Sequence, residues 1–300
     1  MDFFHGLSAF PPTPTDAEGQ VDVAALSRLL DRIHAAGADS IGLLGSTGGY
    51  AYLSRGERRR AVEAAVDSVG GRTPVIVGIG ALRTDSVQAL ARDAAKAGAD
   101  GLLLAPMSYT PLTDEEVYQH FRAIAETTDL PLCIYNNPGT TKFTFSDGLI
   151  ARLAQLENIV AIKMPLPADS DFGGELARLR PQNPNGFSIG YSGDWGAAGA
   201  LLAGCDAWYS VIAGLLPAPA LKLTRAAQAG DADEARRIDD AFQPLWTLFK
   251  AFGSFRVMYT VGSVLDLYRA EPPRPILPLS PQDHGRVEEA LQGLIDGLSG

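Results

Sequence analysis

The stretch Ile159-Val160-Ala161-Ile162-Lys163-Met164 is an apolar run interrupted by one cation. Its β-branched content and lack of polar alternation mark a strand, Val160 to Met164, buried on both faces, as in a parallel sheet covered by helices. Runs of the same kind recur on both sides: Leu7 to Phe10, Ser40 to Leu44, Val75 to Ile79, Leu102 to Ala105, Leu132 to Tyr135, Phe187 to Tyr191 and Ala207 to Val211. Their ends are spaced by roughly 30 residues, the length of one βα unit. Between them lie amphipathic stretches with helix start signals, Asp22 before 23–36, Ser54 before 55–69 and Thr84 before 85–96. Thr113, Ser146, Asp169 and Asp194 are candidate N-caps further on, and Gly37 and Gly98 stand where helix C-caps belong.

Eight strands in series, with no return to an earlier edge, predict an α/β fold: a closed (β/α)₈ TIM barrel over residues 1–230. The pattern then becomes helical only, which predicts a C-terminal helical extension over residues 231–300. Gly230-Asp231 supplies a stop and a start, and Pro272-Pro273-Arg274-Pro275 an extended linker before the last helix.

Apolar residues make up 46% of the chain and charged residues 20%, the balance of a globular protein with a full core. A net charge of −10 argues against nucleic acid as a partner. Arg58-Arg59-Arg60 follows Ser54 and Glu57 in a helical pattern and reads as a solvated helix face. The start, Met1-Asp2-Phe3-Phe4-His5, lacks a basic n-region, and no apolar run approaches the ~20 residues needed to cross a bilayer, so no membrane partner is expected. Cys133 and Cys205 lie in apolar segments without metal-ligand spacing and read as reduced core thiols, in keeping with a cytoplasmic location.

A TIM barrel builds its site from the C-terminal ends of its strands. Lys163 is the anomaly there, because a cation in a buried strand has to be compensated or used. Desolvation disfavours an ammonium and so favours the free amine that attacks a ketone. Pairing with a buried carboxylate, or snorkelling to the barrel mouth, is the structural alternative. Tyr135 ends the preceding strand and falls beside Lys163, where a phenol can carry protons or simply pack its ring. Ser46 and Thr47, in the glycine-rich stretch Gly45 to Gly49, offer hydroxyls and backbone amides for a carboxylate, or only for local turn bonds.

Together these residues resemble the dihydrodipicolinate synthase and N-acetylneuraminate lyase family of class I aldolases. Gly45-Ser46-Thr47-Gly48 looks like that family's pyruvate-carboxylate loop, Tyr135-Asn136-Asn137-Pro138-Gly139 like its tyrosine motif, and Ala161-Ile162-Lys163 like its Schiff-base strand. The resemblance implies that Lys163 forms an imine with pyruvate or a related 2-oxo acid, for carbon–carbon bond cleavage or condensation or for dehydration or deamination of a 2-oxo sugar acid or similar, that Tyr135 relays protons with Thr47, and that Ser46, Thr47 and Gly48 receive the carboxylate. It places Tyr109, Thr140, Gly193 and Tyr209 around the substrate, and implies a homo-oligomer, a dimer or tetramer.

Departures from the family pattern bear on the substrate. Thr140 stands where the family's lysine-biosynthesis synthase has an arginine for a second carboxylate. Ser108 takes the approximate place of a second relay tyrosine, with Tyr109 adjacent. Gly49-Tyr50 replaces an acidic residue, and Met164-Pro165 replaces an acidic continuation. Arg83 reads as a surface arginine beside a helix start.

Two other readings stay open: a sensor of the same fold that binds a 2-oxo acid without turnover, and the lysine-biosynthesis reaction despite Thr140. No metal or cofactor is expected. His5, His34, His120 and His284 do not converge on one rim, strands 4 to 6 end without a pair of carboxylates, and no dinucleotide or Walker fingerprint occurs.

Overall fold

A computed structural model describes residues 3 to 299. Eight parallel strands close into a barrel in chain order: β1 Gly6–Ala9, β2 Ser40–Leu43, β3 Val75–Gly78, β4 Gly101–Leu104, β5 Leu132–Tyr135, β6 Ile159–Met164, β7 Ser188–Tyr191 and β8 Ala207–Ser210. Every expected strand is present, with ends shifted by a residue or so. The ring closes through β1 and β8, whose register pairs Gly6 with Ala207 and Ala9 with Ser210.

The helices are α1 Val23–Ala36, α2 Arg55–Val69, α3 Thr84–Ala97, α4 Asp114–Ala125, α5 Pro138–Thr141, α6 Asp147–Leu153, α7 Phe172–Leu179, α8 Ala197–Leu202, α9 Pro217–Gln228, α10 Ala232–Phe252, α11 Ser254–Val264 and α12 Pro281–Ser299. Asp22, Ser54, Thr113 and Ser146 cap their helices as expected, each side chain accepting a backbone N–H of the first turn. Gly37 and Gly98 end α1 and α3 in the left-handed region.

Three expected caps are corrected. Arg83, without a side-chain cap bond, precedes α3, and the Thr84 hydroxyl meets His120 Nδ1 at 2.9 Å instead. Asp171 caps α7, while Asp169 accepts the Asp171 N–H. Asp194 begins a short 3₁₀ turn but turns its carboxylate to a different segment, described below.

Two apolar layers follow from the period of two along each strand. Ile76, Leu103, Cys133, Tyr135, Ala161, Ala207 and Tyr209 fill the barrel interior with Phe4 and Phe10. Leu132, Ile134, Ile162 and Ile189 point outward into the larger core shared with the helices. In β6 the alternation sends Ala161 inward and Ile162 outward, so Lys163 faces the barrel axis.

The arginine run is also corrected: Arg59 and Arg60 are exposed, but Arg58 is buried on the inner side of α2. Its guanidinium donates to the carbonyls of Gly78 at 2.8 Å and Gly80 at 3.0 Å and lies 5.2 Å from the Tyr50 ring centre. It thereby satisfies the open C-terminal end of β3, where the ladder no longer supplies donors. Burial pulls its pKa down to about 10, against the opposing influence of Tyr50.

Candidate active site

At the C-terminal mouth of the barrel a cavity of about 920 Å³ opens, with Lys163 and Tyr135 in its lining. Lys163 is only 3% exposed. Its Nζ sits 3.8 Å from the ring centre of Phe10, 4.5 Å from that of Tyr135 and 5.7 Å from that of Tyr209. Three aromatic rings thus stand around the amine where it borders the cavity.

Tyr135 and Lys163 are register partners in the β5–β6 ladder, and Asn136 N–H donates to the Lys163 carbonyl at 3.0 Å. The phenol is held from two sides: Tyr135 Oη lies 3.2 Å from Ser46 Oγ and accepts from Asn137 Nδ2 at 2.8 Å. A chain of hydroxyls thus joins the loop after β2 to the rim of β5. Leu44, at the end of β2, adopts φ of 56°, an unfavourable left-handed conformation for a leucine that turns the chain into this loop. The turn is closed by Gly49 N–H donating to the Ser46 carbonyl.

Phe10 needs space beneath the lysine, and Gly42 provides it. A Cβ at Gly42 would stand 2.1 Å from Phe10 Cζ. On the other side Gly193, with φ of +94°, and Gly196 admit the side chain of Leu166, which would lie 2.9 and 2.7 Å from their added Cβ atoms.

Asp194 is buried and anchors the loop after β8. One carboxylate oxygen accepts from Trp208 Nε1 at 3.0 Å and Val211 N–H at 3.1 Å, the other from Ile212 N–H at 2.7 Å. Its carboxylate thus takes up the backbone N–H groups that lead into the 3₁₀ turn Ile212–Gly214, while its own turn has no side-chain cap. Burial pushes its carboxyl up to about 6, and these donors together with the Lys163 charge oppose the rise. Tyr50, buried beside the cavity, is raised to about 12 by burial and by Tyr135, with Arg58 opposing.

Of the residues singled out from sequence, Ser46, Thr47, Tyr135, Thr140, Lys163 and Gly193 line the cavity. Gly48 packs against the Leu44 backbone behind it. Tyr209 is wholly buried below Lys163, accepting from the Cys133 thiol at 3.6 Å. Tyr109 is not brought to the site, since its side chain is 97% exposed on the loop after β4. Ser108 folds back onto the Thr110 carbonyl. Arg83 is an exposed partner of Asp85.

Sequence reasoning did not find the far wall. Phe249, Gly253, Ser254 and Phe255, from the α10–α11 junction, and Ile276 reach over the mouth. No local signal marks them, because their role arises only when the tail folds back. Phe10 is in the same position: it reads as the end of a strand, and only closure of the barrel puts it under the lysine.

Comparison with known proteins agrees with this geometry. The profile of the Dihydrodipicolinate synthetase family matches residues 3–294. The chain is 39% identical over 237 residues to a 4-hydroxy-tetrahydrodipicolinate synthase of Laribacter hongkongensis, covering 78% of this chain and 79% of that one. A protein of the same name from Neisseria meningitidis serogroup B is 34% identical over 283 residues, 93% of this chain and 95% of its own. Among solved structures, a dihydrodipicolinate synthase from Agrobacterium tumefaciens superposes with a TM-score of 0.96 at 64% identity, over 97% of this chain and 98% of that chain.

Proposed function

The chain belongs to the dihydrodipicolinate synthetase family, class I aldolases and lyases, and from that premise we propose that Lys163 forms a Schiff base with pyruvate or a related 2-oxo acid. The observation that carries this reading is the pairing of Lys163 with Tyr135 across one ladder, with the phenol fixed by Ser46 and Asn137.

The neutral amine adds to the keto carbon of the 2-oxo acid. A proton delivered to the carbinolamine hydroxyl by Tyr135 lets it leave as water, and a protonated imine remains. That imine withdraws electrons from the neighbouring carbon, which gives up a proton to form an enamine. In the condensing direction the enamine carbon attacks an aldehyde carbonyl, whose oxygen takes the proton. One water then hydrolyses the imine and frees the lysine, and cleavage is the reverse. Tyr135 moves the protons, with Thr47 in the same cavity, and Ser46, Thr47 and the loop backbone through Gly48 receive the carboxylate. Gly193 and Thr140 border the remainder of the substrate.

Incubation with pyruvate and borohydride should attach a reduced adduct to Lys163, read by peptide mass spectrometry, and Lys163→Ala should abolish it. An adduct elsewhere, or none, would refute the reading. Turnover by the adduct-forming protein separates an enzyme from a mere 2-oxo-acid sensor. The names of the curated relatives favour a second reading, 4-hydroxy-tetrahydrodipicolinate synthase activity. An assay with pyruvate and aspartate semialdehyde decides it.

A cytoplasmic homo-oligomer, a dimer or tetramer, is part of the proposal. Tyr109 and Leu82, 97% and 65% exposed on the loops after β4 and β3, support a contact with a second copy. Light scattering on the purified protein gives the subunit number. Among the described residues no helix is long and apolar enough to cross a membrane.

A further inference from the structure

The cavity has a strongly asymmetric character. Lys163 and Asp194 are its charged lining residues. Asp194 is committed to three donors, and on the reading above Lys163 is consumed by the imine. Once the imine exists, no side-chain cation among the described lining residues is left to neutralise a second carboxylate. Arg58 does not serve, since it is turned to the carbonyls of Gly78 and Gly80 behind Tyr50. On the same reading the loop from Ser46 to Gly48 is taken by the pyruvate carboxylate, so a second carboxylate enclosed here would have neither a cation nor that loop and would be disfavoured by its lost hydration.

The uncharged lining is mixed, with hydroxyls such as those of Ser46, Thr47, Thr140, Ser170 and Ser192 beside a set of large apolar side chains. Leu166, seated on Gly193 and Gly196, lines the cavity together with Trp195, with Phe249, Phe255 and Ile276 from the tail and with Met107 from the loop after β4. Phe255 is braced by Tyr52, whose ring stacks at 6.0 Å, and by Tyr259, edge-on at 5.3 Å. Trp195 keeps 39% of its surface exposed although it is the largest side chain at the mouth, an arrangement that suits a contact made only when substrate is present. At about 920 Å³ the space is near the upper end of small-molecule sites, roughly 300–1,000 Å³, so a molecule as small as pyruvate leaves most of it free.

Resting on the Schiff-base reading, we propose that the second substrate is an uncharged aldehyde with an apolar substituent of aryl or branched-alkyl size. Leu166, Trp195 and Phe255 are the specificity-determining contacts. Pyruvate and the aldehyde RCHO join through one new carbon–carbon bond between the enamine carbon and the aldehyde carbon. The carbonyl π pair becomes a hydroxyl after protonation, and imine hydrolysis releases a 4-hydroxy-2-oxo acid bearing R. No oxidant or reductant takes part.

The test uses the purified full-length protein, pyruvate, and aldehydes close in shape but different in charge: 4-isopropylbenzaldehyde against 4-carboxybenzaldehyde, and 4-methylpentanal against succinic semialdehyde. The neutral member of each pair should have at least a tenfold higher kcat/KM. Trp195→Ala, a change at a partly exposed side chain, should raise KM for 4-isopropylbenzaldehyde about tenfold with a much smaller change in kcat, as expected for a contact equal in ground and transition states. Borohydride trapping is run alongside. No adduct at Lys163 defeats the Schiff-base reading itself. An adduct with equal or reversed preference, or with no turnover of either neutral aldehyde, overturns the proposed substrate class alone.

Discussion

Tyr135 stands directly opposite Lys163 in the β5–β6 ladder, with the lysine Nζ 4.5 Å from the phenol ring centre. Because the pairing is made by backbone, the distance is fixed by the barrel and not by a flexible loop. Tyr135→Phe keeps the ring and removes the proton carrier. It should lower kcat by about 10²- to 10⁴-fold, while slow trapping of pyruvate at Lys163 persists. Steady-state turnover alongside timed borohydride trapping checks both.

Gly42 and Phe10 couple the core to the site. Gly42→Ala places a methyl 2.1 Å from the Phe10 ring, so the ring must move, and it lies 3.8 Å under the Lys163 amine. The substitution should destabilise the protein by about 1–3 kcal/mol through overpacking and slow imine formation. Urea unfolding and trapping rate measure the two effects separately.

Arg58 spans two carbonyls that a single ammonium does not bridge in the same way. Arg58→Lys should destabilise the protein by about 1–3 kcal/mol by leaving one buried carbonyl unsatisfied. Arg59→Lys on the exposed face should be neutral within about 0.5 kcal/mol. Thermal unfolding of the two variants makes the comparison.

Asp194 carries a pKa raised from 3.8 to about 6 by burial. The folded state thus holds this proton more tightly than the unfolded state. The contribution is fully present below about pH 3.8 and is lost as pH rises through about 6. Asp194→Asn removes that titration, but turns an amide nitrogen toward one of the N–H groups of Trp208, Val211 or Ile212. It should cost about 1–3 kcal/mol, and the wild-type advantage should shrink between pH 4 and 6, read by urea unfolding across that range.

His120 has the opposite sign. Burial lowers its pKa from 6.5 to about 4, so the unfolded chain takes up a proton first. The neutral ring therefore supports the fold above about pH 6.5, and that support is lost as pH falls through about 4. His120→Gln, which retains a partner for Thr84, should flatten the acid limb of the stability profile in that window.

The sequence by itself determined the barrel, because eight apolar runs spaced by βα units, with their caps and breakers, are local signals that survive without coordinates. It also singled out Lys163, since a cation in a buried strand is anomalous wherever the strand lies. Its partners were legible only in part: Tyr135 and Ser46 stand at strand ends, but Asp194 read as a cap for its own turn. Its actual donors, Trp208, Val211 and Ile212, lie 14, 17 and 18 positions further on. Tertiary structure alone decided that Arg58 is buried while its neighbours are not, because a helix face has no meaning until it is packed. It alone decided that Tyr109 points to solvent, and that Phe249, Phe255 and Ile276 return from the tail to wall the cavity. Those contacts join residues with no spacing relation along the chain, and closure of the barrel with the folding back of its extension is what brings them together.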